Sequence, residues 1–314
     1  MFLLRHSKAC SIKNFPIFTS LTLLTTLIMK KSFLVLFLLL AAIYVKSQYS
    51  KVYDNLSMTS NILNMERKYA IYLPPDYDLS ERSYPVLYLL HGSGDDQTGW
   101  VQFGEVKHIA DKAIKEGKAT PMIIVMPDAN TGRRGYINSP DNQWMYEDFF
   151  FEEFIPYIES TYRIKAEKRY RAVSGLSMGG GGSFYYALHR PDMFSSACPL
   201  SASTGPLKLE EASYHLERRG HKADKELVET YFRNYSVLKL IEDMPEEQKK
   251  AVRWYIDCGD DDFLYEGNSL VHIAMKKNNI PHEFRVREGA HNWTYWRESL
   301  PEVLVFVSMS FHQY

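Results

Sequence analysis

The spacing of apolar and polar positions changes character along this chain. From residue 48 to about 80 the pattern is that of antiparallel strand. Lys68-Tyr69-Ala70-Ile71-Tyr72-Leu73 alternates until Pro74-Pro75 ends it. From Pro85 onward the strand candidates become continuous apolar runs, as expected of strands covered on both faces. Val86 to Leu90 and Met122 to Met126 are the longest. Arg171 to Val173, Ser196 to Cys198 and Trp254 to Ile256 are shorter, and His282 to Val286 is the last. Helical spacing fills the gaps: Val106 to Lys115, Tyr146 to Tyr162 with a stripe through Phe150, Phe154, Ile155 and Ile158, Gly179 to His189, Ser269 to Lys277, and Trp293 to Ser310. Strands alternating with helices predict an α/β protein with a mostly parallel central sheet and helices on both faces. Residues 205 to 250 interrupt that rhythm with charged, helix-prone sequence. They predict a helical insertion over the strand ends, placed as a lid would be.

The N-terminal pattern is different again. Met29-Lys30-Lys31 precedes an apolar run from Phe33 to Val45, and Lys46-Ser47 follows before Gln48. A basic start, a short apolar stretch and a small residue at its end predict a signal peptide over 29–47. Residues 1–28 then form an upstream extension. The run is shorter than the roughly 20 residues that span a bilayer, so no stable membrane span is expected after cleavage. The expectation is a secreted or periplasmic protein with one catalytic domain over 48–314.

Composition narrows the classes further. The chain has 314 residues, of which 45% are hydrophobic, enough for a sizeable core. Its formal net charge of −1 offers no basic stripe, which argues against a nucleic-acid partner. The 22 tyrosines and 5 tryptophans are first of all core fillers. Cys10 falls in the leader. Cys198 and Cys258 occupy strand-like positions without a C-x-x-C or a ladder of cysteines, which predicts buried thiols, with a disulfide between the two as the alternative in an exported protein.

The chemistry concentrates in four places. Gly175-Leu176-Ser177-Met178-Gly179 follows a short strand and opens a helix, the context of a nucleophile elbow. No Gly-Lys-Ser/Thr follows the glycines, so a phosphate loop is discarded. A serine hydroxyl needs a base, and the base needs an orienting acid. In this architecture the chain order is serine, acid, histidine. The strand around Trp254 to Gly259 runs into Asp260-Asp261-Asp262, and the pattern leaves the choice among the three open. Their spacing does not match an EF-hand, so neither a metal nor a cofactor is expected. His291 stands at the exit of the last strand and is the expected base. His272 and His282 fall within a helix and at a strand start, where structural roles are expected. The glycine-rich turn after Tyr88-Leu89-Leu90-His91-Gly92-Ser93 offers an oxyanion hole, formed by the N–H groups of Ser93 and of Met178.

These motifs together resemble the esterase D-like group of the α/β-hydrolase superfamily. That group includes feruloyl and acetylxylan esterases of carbohydrate esterase family 1, S-formylglutathione hydrolases and mycolyltransferases. The matching segments are Tyr84-Pro-Val-Leu-Tyr-Leu-Leu-His-Gly-Ser-Gly-Asp-Asp, Ser174-Gly-Leu-Ser-Met-Gly-Gly, Cys258-Gly-Asp-Asp-Asp262-Phe-Leu and Gly289-Ala-His291-Asn-Trp293-Thr-Tyr-Trp296-Arg297. The likeness runs from Lys68 to the C-terminus. It implies a serine esterase and selects Asp262 as the acid. The H-x-W-x-x-W ending and Met145 to Asp148 look most like feruloyl or xylan-type esterases. This implies removal of feruloyl or acetyl groups from plant polysaccharide or oligosaccharides. A broad short-chain or S-formylglutathione hydrolase-like esterase, or an acyltransferase with the same triad, are the alternatives. Trp100, Trp144, Tyr146 and Trp293 are candidate walls for a sugar or aryl group.

Overall fold

The computed structural model describes residues 28–33, 35, 49–131 and 133–312. It divides into two compact units, Met1–Ser47 and Gln48–Tyr314. In the first, residues 28–33 and 35 are helical and exposed. Cys10 and most of the expected signal peptide lie outside the described residues. Among the described residues no helix is long and apolar enough to cross a membrane.

The second unit is built on an eight-stranded sheet. Its strands are β1 (Lys51–Ser60), β2 (Met65–Leu73), β3 (Val86–Leu90), β4 (Ile123–Pro127), β7 (Arg171–Leu176), β8 (Ser196–Leu200), β9 (Arg253–Gly259) and β10 (His282–Arg287). A two-stranded ribbon, β5 (Asn130–Thr131) and β6 (Arg133–Arg134), follows β4. The sheet order is β1-β2-β4-β3-β7-β8-β9-β10. Only β2 runs against its neighbours; the six strands from β4 to β10 are parallel. This is the α/β architecture that the alternation of runs and helices predicts.

The apolar runs explain the layering. Along β3, Val86, Tyr88 and Leu90 enter one core, while Leu87 and Leu89 enter the other. The helix Met178–His189 and the helix Tyr265–Lys277 cover the first face through Phe184, Tyr186, Val271 and Met275. The helices Val106–Lys115 and Trp293–His312 cover the second through Ala110, Ala113, Leu300 and Val303. The stretch expected as one helix from Tyr146 is a short α-turn, a π-helical segment over Phe149–Phe154, and a helix over Ile155–Thr161.

The insertion between β8 and β9 contains helices Leu209–Arg218, Lys225–Tyr235 and Val237–Glu242. It is helical, as expected, but it is not a detached cover. Ala212, Leu216, Tyr231, Tyr235, Val237 and Ile241 are buried in the first core. Charged sequence marks only the outer faces of these helices, and their inner faces are bound into the body of the protein.

Candidate active site

The site forms where β7 turns into the helix Met178–His189. Ser177 occupies that turn with φ 55° and ψ −113°, a strained conformation for a residue with a Cβ. Three backbone hydrogen bonds hold it. Its N–H donates to Leu200 O at 2.9 Å, and its carbonyl accepts from Gly181 N and Ser203 N, each at 3.0 Å. The flanking glycines follow from the crowding. A Cβ on Gly175 would sit 2.6 Å from Gly179 O, and one on Gly179 would sit 2.5 Å from Leu90 O. Helix and strand approach more closely here than any side chain permits.

The acid and the base arrive on two loops joined to each other. Past β9 and β10 the pairing continues through Asp260 N to Arg287 O and Asp261 N to Gly289 O, each 3.0 Å. Asp260 Oδ1 also accepts from Gly289 N at 2.9 Å. The third acid turns back into the sheet end. Asp262 has a buried side chain that accepts from His291 Nδ1 at 2.8 Å and from Leu264 N at 2.8 Å. His291 Nε2 lies 2.9 Å from Ser177 Oγ. Burial alone would raise the Asp262 pKa, but hydrogen bonds from His291, Leu264 N–H and the Ser201 hydroxyl outweigh it and hold the carboxyl below its ordinary value. His291 is packed between the rings of Phe263, at 4.5 Å, and Trp296, at 4.9 Å. The Trp296 indole N–H donates to Ser201 Oγ at 3.0 Å. Beneath these loops the buried Asp257 accepts from Tyr255, Tyr295 and Arg287, which ties β9, β10 and the last helix together.

The loop after β3 lies beside the nucleophile. A Cβ on Gly92 would be 3.6 Å from Ser177 Cβ. Ser93 is exposed on this loop, and Met178 stands at the first helical position, where an N–H has no acceptor within the helix. Gly92, the residue before Ser93, and Met178 thus lie next to Ser177. His272 Nδ1 instead meets His282 Nε2 at 2.8 Å, a separate pair joining helix to β10.

The aromatic-wall expectation is corrected for three of its four residues. Trp100, Trp144 and Tyr146 are 0%, 3% and 0% exposed. Their polar atoms are bound to the carbonyls of Leu90, Gly135 and Asp128. A ring enclosed in this way has no face left for a substrate. Trp293 is half-buried and packs on Trp100, Phe103 and Trp296. Sequence reasoning missed Phe263, whose ring is 72% exposed against His291. Its only signal is its position directly after Asp262. Ser201 was missed as well, and no motif marks it. Among the described residues no group of three or more His, Cys, Asp or Glu side chains is placed to hold a metal ion.

Comparison with known proteins identifies the family and the fold. The Esterase family matches residues 60–307. Esterase Rv1288 of Mycobacterium tuberculosis is 39% identical over 143 residues, covering 44% of this chain and 29% of that protein. An endo-1,4-beta-xylanase/feruloyl esterase of Xylanibacter ruminicola is 31% identical over 246 residues, covering 74% of this chain and 28% of that protein. The chain thus spans less than a third of the length of these curated relatives. Among solved structures, a ferulic acid esterase is similar with a TM-score of 0.74 and 37% identity, over 84% of this chain and 99% of that one. An S-formylglutathione hydrolase of Staphylococcus aureus shares the fold, with a TM-score of 0.67 and 21% identity over 83% of this chain and 99% of that one. On the family match over most of its length, the chain, with its α/β-hydrolase architecture, belongs to the Esterase family.

Proposed function

We propose that this chain is an exported serine esterase that removes feruloyl groups, and in the same chemistry acetyl groups, from plant polysaccharide or its oligosaccharides. The observation that carries the reading is the relay from Ser177 Oγ through His291 to Asp262, at 2.9 Å and 2.8 Å. His291 takes the Ser177 proton as Oγ attacks the ester carbonyl. Asp262 keeps the remaining imidazole proton on Nδ1 and stabilises the imidazolium. The N–H groups of Ser93 and Met178 receive the oxyanion. The tetrahedral intermediate collapses to the acyl-enzyme, and the sugar alcohol leaves with the proton from His291. Water then attacks the acyl carbonyl, His291 takes its proton, and Ser177 is released with the carboxylic acid. The relay needs no cofactor.

The feruloyl preference draws on similarity to the ferulic acid esterase and to the xylanase/feruloyl esterase. The exposed ring of Phe263 beside His291, with Trp293 and Phe103 further along the rim, offers flat apolar surface to an aryl acyl group. The test is a Ser177→Ala variant measured with p-nitrophenyl acetate, methyl ferulate and acetylated xylan. The variant is expected to lose roughly 10⁵-fold or more in kcat. The unaltered enzyme is expected to show its highest kcat/KM on methyl ferulate. Turnover that survives Ser177→Ala overturns the nucleophile. A higher kcat/KM on S-formylglutathione than on either plant ester overturns the substrate class.

A further inference from the structure

We propose that His91 is the positioning residue of the oxyanion hole, aiming the Ser93 N–H through its hold on the Gly92 carbonyl. This inference rests on the serine-esterase reading above. The chain leaves β3 with three consecutive carbonyls, and a side chain takes each one. The Trp100 indole N–H donates to Leu90 O at 3.0 Å, the Tyr136 hydroxyl to His91 O at 3.2 Å, and His91 Nδ1 lies 2.8 Å from Gly92 O. The third contact matters most. Gly92 C=O and Ser93 N–H belong to one rigid peptide plane, and no cis peptide bond occurs among the described residues, so the two groups point in opposite directions. Fixing the carbonyl against the buried imidazole directs the N–H away from it, on the loop that borders Ser177. The backbone holds that plane through a longer contact, Asp95 N–H to the same Gly92 carbonyl at 3.3 Å, and the imidazole adds the shorter one. Gly92 and Gly94 flank Ser93, and Gly94 has a positive φ of 97°.

The tautomer follows from the other ring nitrogen. Ala129 N–H donates to His91 Nε2 at 2.9 Å. A nitrogen that accepts carries no proton, so the ring proton is on Nδ1, facing Gly92 O. The Asp128 carboxylate lies 3.6 Å from Nε2, but it is engaged with Arg67 at 3.1 Å and Asn130 N at 2.8 Å. The ring is 1% exposed, so water does not compete for either contact. His91 therefore touches neither substrate nor Ser177, and it acts through the peptide that does.

The experiment compares His91→Asn, His91→Gln and His91→Ala with the unaltered enzyme, and runs Ser177→Ala alongside. Rates are expressed per active serine titrated to completion with a fluorophosphonate, so unfolded protein does not enter. An asparagine amide N–H takes the place of Nδ1, whereas a glutamine amide reaches the place of Nε2. His91→Ala and His91→Gln are expected to lower kcat on p-nitrophenyl acetate about tenfold to a hundredfold, part of what losing an oxyanion donor costs. KM should stay within about twofold, because the ground-state carbonyl uses the hole little. Binding of an aryl trifluoromethyl ketone, whose serine adduct is an oxyanion, should weaken by the same factor. His91→Asn should recover most of both losses. Equal losses in Asn and Gln that track melting temperature would mean a merely structural role and would overturn the proposal. So would an unchanged kcat in His91→Ala. Activity in Ser177→Ala would instead sink the serine-esterase reading, whatever the His91 series shows.

Discussion

Three adjacent aspartates end in three different situations. Asp260 Oδ1 accepts from the Gly289 N–H and so fastens the histidine loop. Asp261 contributes its backbone to the same junction. Asp262 alone turns inward to His291. Asp262→Asn is expected to lower kcat by about 10⁴-fold, since an amide at this site favours the wrong imidazole tautomer. Asp260→Asn keeps an acceptor for Gly289 and should stay within about threefold of the unaltered enzyme, in line with a neutral polar swap at an exposed hydrogen bond. Steady-state kinetics on p-nitrophenyl acetate check both, and equal losses would assign the cluster a shared structural role. Sequence pattern could place an acid at this strand end but could not choose among three. The choice depends on how far strand-like pairing continues past β9, which is a matter of partner carbonyls on another loop. The same blindness applied to Trp100, Trp144 and Tyr146. An aromatic ring suits a core and a sugar platform equally, and only its neighbours decide which.

Among elements, the buried strands were legible because strands covered on both faces must be apolar throughout, and β3, β4 and β8 are buried along their whole length. The elbow helix was legible from its glycines. The π-helical segment was not. Phe149, Phe150, Phe151 and Phe154 are all buried, and a wider turn draws three successive phenylalanines toward one face, something a search for α-helical period does not anticipate. The insertion was visible as sequence that breaks the rhythm, but its anchorage was hidden. One anchor is His189, at the end of the elbow helix. Its Nδ1 meets Glu147 Oε1 at 2.7 Å, and its Nε2 meets the carbonyl of Asn234, in the insertion, at 2.9 Å. Both nitrogens face oxygen acceptors, so the doubly protonated ring satisfies the pair. Burial pushes the His189 pKa down, but the Glu147 carboxylate and the Asn234 carbonyl more than offset this, and the net shift is upward from 6.5. A raised folded pKa contributes stability that is fully present below the unfolded value and is lost as pH rises through the folded one. The melting temperature of the unaltered enzyme should therefore exceed that of Glu147→Gln most at about pH 5, and the gap should narrow toward about pH 9. A gap independent of pH would remove charge from this anchor.

At the scale of the whole molecule, the sheet closes its two ends with polar sequence. The edge strand β10 reads His-Glu-Phe-Arg-Val-Arg, and β1 at the other edge has mostly exposed side chains. Charged edges of this kind discourage pairing with a second chain. Between these two edges the sheet holds two free thiols. Cys198 on β8 is paired in register with Ser174 of β7, and Cys258 on β9 with Val286 of β10. Burial pushes both thiols up, Cys258 to about 12. Neither forms a thiolate at neutral pH while the strands stay together, so the native protein should be inert to a disulfide reagent. The molecule thus carries its own clock for global opening. Fraying of the β10 edge reaches Cys258 first, whereas Cys198, on β8 between β7 and β9, is labelled only when the centre of the sheet parts. Labelling of Cys198 should follow the same denaturant dependence as loss of ester hydrolysis, as read by mass spectrometry. Labelling that runs ahead of inactivation would show instead that the sheet opens from within before the site is lost.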